Sequence, residues 1–462
     1  MNESITISEK VRQQFSVRAS LVGLGVKLRK RKVLEPMEQE VKIAQKTVKY
    51  TPLEKLRDGL VAILAGAQGL VEINKRVRAD GALQAAFGRE GCAEQSVVQD
   101  TLDACTAQNV AQMQEAVDRI YRRQSQGYRH DYEQRLQLLD IDTDGRPCGK
   151  KAAFATKGYF ARRPNRRGRQ EGYVLASWYE EIVVKRLFSG TTQLTAALQP
   201  LVEAAEKTLD LTPEKRQCTL LRIDSGGGSV DDVNWLLARG YQVHSKDYSG
   251  KRAESLAESV LAWVADPRNT GRQVGWVTQA ADIYCRPVHR IAVRCPKKNG
   301  QWAVGVILST LSPEQVLVLT GQPAERRHDP QAVLLAYVYF YDLRGGGVET
   351  EIKEDKHGLG TAHRNKKRFE GQQMLCQLEV LAHNLLIWAR SWLAPYAPKI
   401  AKLGLLRLVR DALQISGLIV FSQAASIQKI ILNAADPLAK ELQAGLAALL
   451  AQEQIAVILG ET

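Results

Sequence analysis

The sequence predicts an α/β fold, and three observations carry that prediction. Strand-like segments follow one another after Tyr132, a strand, helix and strand alternate between Thr219 and Ser245, and a β pattern returns between Gly271 and Val338. In the first stretch LQLLDID, AAFATKGYF and EGYVLASWY read as three strands of an antiparallel meander, with ARRPNRRGRQ as a connecting loop. TTQLTAALQPLVEAAEKTL then reads as a helix, TLLRID as a strand, SVDDVNWLLAR as a helix closed by Gly240, and YQVHS as a strand. In the third stretch QVGWVT, RIAVRC, QWAVGVILST and VLLAYVYFY read as strands separated by turn signals such as KKNG.

At 462 residues the chain is too long for one core and divides into several folding units. A hydrophobic content of 45% and a charged content of 25% are those of an ordinary globular protein, which excludes a disordered or fibrous chain. Lys and Arg number 64 against 50 acidic residues, a net charge of +14 that favours a polyanionic partner through counterion release. The seven cysteines, at 92, 105, 148, 218, 285, 295 and 376, form no CxxC pair and have no clustered histidines, so neither a zinc site nor a disulfide framework follows. No apolar leader follows Met1 and no long uninterrupted apolar stretch is present, so no membrane partner and a cytosolic placement are expected.

Residues 1–50 hold the dense run Lys27, Arg29, Lys30, Arg31 and Lys32 and are expected as a basic N-terminal arm. Residues 51–130, with Leu60, Ile63 and Leu64 at helical spacing, are expected as a helical domain suited to DNA binding. The α/β core is expected over 131–270 and again over 339–398, with an inserted β-domain at 271–338 between the two parts. Residues 399–462, including GLLRLVRDALQISGLIVF and PLAKELQAGLAALLAQEQIAVIL, are expected as a helical C-terminal region suited to dimerisation.

Three acidic segments carry the chemistry. In LLRIDSGGGSVDDVNWLLARGY, Leu220, Arg222 and Asp224 share one strand face, Asp224 ends the strand, and Ser229 is positioned to cap the next helix with Asp232 three residues on. A carboxylate there faces the crevice where α/β sheets bind ligands, although a turn or capping aspartate has the same local pattern. In LLDIDTDG, Asp140 and Asp142 share a face; Asp142 is nearer the strand end, while Asp144 and Gly145 could equally make it a turn residue. In YDLRGGGVETEIKEDK, glycines give way to a helix with Glu349, Ile352, Lys353 and Lys356 along one face, a pattern also found on solvated helices. Two strand-borne aspartates and a helix-borne glutamate suit hard divalent cations, and a pair of Mg²⁺ ions held this way supports in-line phosphoryl displacement. An ATPase is excluded, because SGGGSVDD lacks the GxxxxGK[ST] lysine.

Over roughly residues 130–395 the chain resembles the DDE transposases of bacterial insertion sequences, in the subgroup with a Y-R-E-K signature, the insertion-sequence-four group. Tyr341, Arg344, Glu349 and Lys356 match that signature in order, with one residue more between Arg344 and Glu349 than the family usually has. The resemblance implies a ribonuclease H-like mixed sheet interrupted by an inserted β-rich domain, flanked by helical N- and C-terminal regions. It implies metal-dependent cleavage at the ends of a DNA element and strand transfer into target DNA, with Asp142, Asp224 and Glu349 as catalytic metal ligands. It also implies two Mg²⁺ ions replaceable by Mn²⁺, double-stranded DNA as partner, a homodimer on DNA, and the bacterial cytosol and nucleoid as location. Tyr341, Arg344, Lys353 and Lys356 would contact phosphates, joined by Arg166, Arg167 and Arg169 of the arginine loop and by Lys366 and Lys367 downstream. Trp276 or Trp302 could stabilise a flipped base, or serve as core. A nuclease that cuts without joining, and a catalytically silent DNA-binding derivative, are the alternatives; Glu351 and Asp140 are the alternative ligands.

Overall fold

The computed structural model describes residues 12–158, 160, 166–247 and 249–461. The chain forms two compact units, one built from Met1–Gln124 with Lys353–Thr462 and the other from Ser125–Ile352. The first unit opens with strand β1 (Arg12–Ser16) and the helix Ala19–Lys30. That helix buries every residue from Ala19 to Leu28, so the segment expected as a basic arm is core. Of its basic run, Lys27 is sealed in a 2.9 Å ion pair with Glu453, while the exposed Arg31 stacks its guanidinium 4.9 Å from the Trp392 ring. The sequence TPLE then starts the helix Pro52–Leu64 with a capping box, Thr51 accepting from the Glu54 amide and Glu54 reaching back. Further helices reach Gln124, the longest being Ala107–Gln124.

The second unit carries a ten-stranded sheet. Its strands are β2 (Gln137–Pro147), β3 (Thr156–Lys157), β4 (Arg167–Ala176), β5 (Glu181–Ser189), β6 (Thr219–Ile223), β7 (Gln242–Lys246), β8 (Val264–Ala265), β9 (Gln273–Trp276), β10 (His289–Pro296) and β11 (Trp302–Ser309). From β5 inward the order is β5, β4, β2, β6, β7, with the first three antiparallel and β2, β6 and β7 parallel. This is a ribonuclease H-like mixed sheet, and the α/β class expected from the sequence is the one observed. Within it, AAFATKGYF supplies only the two residues of β3, and Tyr159 lies outside the described residues. The outer meander strand is instead EIVVKRLFS, whose first five residues are all buried and so show no alternation of apolar and polar positions.

Residues 271–338 do not form a separate β-domain. β11 pairs antiparallel with β7, and β10, β9 and β8 follow outward, so these strands extend the core sheet. VLLAYVYFY is helical, not a strand: Asp329 caps the helix Pro330–Asp342 through the Gln331 and Ala332 amides, with Pro330 in its first turn. Every residue from Ala332 to Phe340 is buried, in a cluster with Leu138, Leu220, Ile291 and Ile307, and burial on all sides removes the polar face that marks a surface helix.

The second stretch of the first unit holds the 25-residue helix Phe369–Leu393, which is buried along most of its length. The region expected as helical contains β12 (Gly417–Phe421), β13 (Ile427–Asn433), the helix Ala439–Leu450 and β14 (Ala456–Gly460). These strands join β1 in a second sheet, ordered β1, β12, β13, β14, so the two ends of the chain share one layer. A Cβ on Gly23 would stand 3.1 Å from Leu446 of the helix Ala439–Leu450 and 3.5 Å from Ile430 of β13. Among the described residues no helix is long and apolar enough to cross a membrane.

Candidate active site

Parallel pairing of β2 and β6 sets the site. Asp140 is in register with Arg222 and Ile141 with Ile223, so Asp142, inside β2 just past its pairing with β6, and Asp224, just past the end of β6, emerge side by side. Beyond Asp224 the chain turns through glycines; a Cβ on Gly228 would stand 2.0 Å from the Lys246 carbonyl oxygen, so only glycine fits there. Ser229 then caps the helix Val230–Ala238 by accepting from the Asp232 amide.

The third acid arrives from the other side. The buried helix Pro330–Asp342 delivers Tyr341 and, through a turn of three glycines, the helix Val348–Gly358, whose first turn carries Glu349. Arg344, buried in that turn, joins the elements: its guanidinium donates to Asp142 Oδ2 at 2.8 Å, to Glu349 Oε1 at 3.1 Å and to the Ile141 carbonyl at 3.2 Å. The Tyr341 hydroxyl donates to Asp224 Oδ1 at 3.1 Å. Residues 82 and 125 apart in sequence (224 minus 142, 349 minus 224) are thus linked through one arginine and one tyrosine. The oxygens of the three acids do not all lie within 4.8 Å of one another, and the Arg344 guanidinium stands between Asp142 and Glu349 as a shared partner.

Electrostatics differ across the cluster. Burial pushes the Asp142 carboxyl up to about 6 against the pull of Arg344, and the neighbouring Asp224 carboxylate adds to the rise. Burial and the Asp224 carboxylate also raise the Tyr341 phenol, keeping it a hydrogen-bond donor. Glu349 is the exposed member, its side chain 58% accessible. The alternative ligand Asp140 is fully buried and occupied: Arg222 holds both its oxygens, at 2.6 and 2.7 Å, and the Ser177 hydroxyl donates to it at 2.6 Å. Arg344 takes Glu349 as its carboxylate partner on the helix, and Glu351 lies two residues further along that helix. Sequence reasoning set Arg222 on the face of Asp224 but gave it no role; its signal was a lone cation in an apolar strand, two residues before an acid.

The basic residues separate into two kinds. Arg166, Arg167, Lys353 and Lys367 are exposed, and Lys356 is partly so. Arg169 is fully buried and donates to the Ala153 carbonyl at 2.7 Å, and the buried Lys366 bonds Gln99 at 2.8 Å, so neither presents its charge to a ligand surface as expected. Arg364 is likewise buried on the Leu359 and Ala67 carbonyls. Residues 161–165 of the arginine loop lie outside the described residues. Trp276 sits in an aromatic cluster with Tyr337 and His289, whereas Trp302 is 39% exposed and receives the Arg294 guanidinium at 4.5 Å.

No protein-family model matches the chain, and no curated protein matches it. Among solved structures it is similar to the piggyBac transposase in a synaptic complex with hairpin DNA, determined by cryo-electron microscopy. That likeness has a TM-score of 0.44 and 12% identity and covers 87% of this chain and 82% of the other.

Proposed function

We propose that the chain is a DDE-type transposase, cutting DNA at the ends of a bacterial insertion element and joining the released 3′ ends to a target. The observation that carries the reading is the linkage of Asp142, Asp224 and Glu349 through Arg344 and Tyr341 where the parallel pairing of β2 and β6 ends. The donor set suits hard divalent cations, since it offers carboxylate oxygens from three elements and no thiol or imidazole. Two Mg²⁺ ions, when bound, would lower the cost of deprotonating the attacking oxygen and neutralise charge on the leaving one. Asp142 is held in β2 opposite Tyr173, Asp224 directly follows β6, and the exposed Glu349 has room to rotate toward an ion. Arg344 sets the orientation of Asp142 and Glu349, and Tyr341 that of Asp224. Lys353 and Lys356 follow Glu349 in the sequence of its helix and would hold phosphates without reading sequence, a role proposed separately for Arg166 and Arg167 and for Lys367. Double-stranded DNA as partner, a dimer on DNA and a bacterial cytosolic location belong to the same proposal.

The test is Asp224→Asn, assayed by gel-resolved nicking of plasmid DNA with Mg²⁺ beside a mobility shift. Loss of nicking with retained DNA binding is the expected result, since the change removes a metal-binding charge and leaves the basic surface unaltered. Nicking at the wild-type rate would make Asp224 a turn residue and end the three-acid mechanism.

A further inference from the structure

We propose that Arg222 and Asp140 are positioning residues for the whole acidic cluster, a proposal that rests on the strand-cutting reading above. The pair is sealed, Arg222 being 2% and Asp140 0% exposed. What distinguishes it is where its atoms reach. Asp140 lies two residues before Asp142 on β2, and Arg222 two residues before Asp224 on β6. The Arg222 Nη1 also donates to the Phe340 carbonyl at 3.0 Å, one residue before Tyr341, and the guanidinium lies 4.9 Å from the Phe340 ring. Gly347, two residues before Glu349, passes so close that a Cβ there would stand 2.8 Å from Asp140 Oδ2 and 3.6 Å from Arg222 Nη2.

One buried ion pair therefore touches the backbone just ahead of Tyr341 and Glu349 and sits in the strands just ahead of Asp142 and Asp224. A guanidinium offers donors in a fixed planar fork, so one side chain can set the carboxylate of one strand and a carbonyl of the helix end at once. A pair that served folding alone would be replaceable, because apolar residues of similar volume in place of a buried ion pair are commonly neutral or stabilising. A positioning pair would not be, since apolar side chains fill the space without fixing the Phe340 carbonyl or the glycine turn.

The experiment compares wild type with the double variant Arg222→Met/Asp140→Val and with Arg222→Lys. Each is measured by thermal melting, Mn²⁺ binding by calorimetry, Mg²⁺-dependent plasmid nicking, and amide hydrogen exchange of residues 341–349. The double variant is expected to melt like wild type, to lose on the order of 10–100-fold in Mn²⁺ affinity and nicking, and to exchange faster through the turn. Arg222→Lys, which keeps the charge but not the fork, should show a smaller loss of the same sign. A double variant with wild-type Mn²⁺ affinity, nicking and exchange overturns the proposal. Should it fail to fold, Arg222→Lys decides, reduced affinity at unchanged melting supporting positioning and unchanged affinity overturning it. A wild-type chain that neither binds Mn²⁺ nor nicks overturns the strand-cutting reading and this positioning role with it, whereas an active wild type beside an equally active double variant overturns positioning alone.

Discussion

Two arginine–carboxylate clusters meet on β2, Arg222–Asp140 shared with β6 and Arg344–Asp142–Glu349 shared with the turn and helix that follow Tyr341, and they differ mainly in their access to water. In the first, Arg222 and Asp140 are 3% and 0% exposed at the side chain; in the second, Arg344 is equally buried but faces Asp142 at 15% and Glu349 at 58%. The same chemistry two residues apart thus has two consequences. In the first, the arginine holds a carboxylate and a backbone carbonyl away from water; in the second, Glu349 and part of Asp142 stay open to solvent.

Removing one arginine at a time separates the two clusters. Arg222→Met leaves Asp140 buried without its counter-charge, and a loss of about 3–5 kcal/mol in urea unfolding is expected. Arg344→Met should cost less, because Glu349 regains water, yet it should abolish nicking. Equal losses of stability would mean that exposure does not divide the two clusters.

A sealed carboxylate elsewhere in the sheet sharpens the same point through pH. Glu171 is held down to about 2: burial alone would raise it, but Arg146, at 2.6 Å, and Lys185 outweigh that. Its folded value lies below the unfolded one of about 4.5, so its contribution is complete above about 4.5 and is lost as pH falls toward about 2. The stability difference between wild type and Glu171→Gln, on the order of 3 kcal/mol at neutral pH, should therefore shrink as urea midpoints are followed from pH 6 to pH 3. A constant difference would remove the electrostatic account.

Smaller effects test the glycine turn. Gly347→Ala drives a Cβ into Asp140 and should cost about 1–3 kcal/mol, while Gly345→Ala meets nothing nearer than the Asp342 carbonyl at 3.5 Å and should change stability by less than about 0.5 kcal/mol. The smallest change in stability is expected for the exposed Lys353→Ala and Lys367→Ala, each of which should lower the salt dependence of DNA binding by about one unit of slope. Arg169→Ala should do the reverse, lowering stability and leaving the slope unchanged, because that guanidinium is spent on the Ala153 carbonyl.

The same contrast explains what the sequence disclosed. The strand ending at Asp224, its glycine turn and the Ser229 cap were legible because they rest on neighbours a few residues away. EIVVKRLFS and VLLAYVYFY were not: both are buried nearly all round, so the alternation that separates strand from helix is missing, although Asp329–Pro330 marked the helix start. The second sheet escaped because β1 and β14 are joined only through strands more than four hundred residues from β1. In the site, local spacing suggested the acids, but no local pattern separates Arg167, which is exposed, from Arg169, which is sealed.

If the open cluster holds divalent cations, a calorimetric Mn²⁺ titration reads that binding without DNA or turnover. Wild type should bind saturably, Asp142→Asn, Asp224→Asn and Glu349→Gln should each weaken binding by at least about tenfold, and Asp144→Asn, two residues beyond Asp142 on β2, should not. Wild-type affinity in all three variants, or no saturable binding by the wild-type chain, would contradict the account.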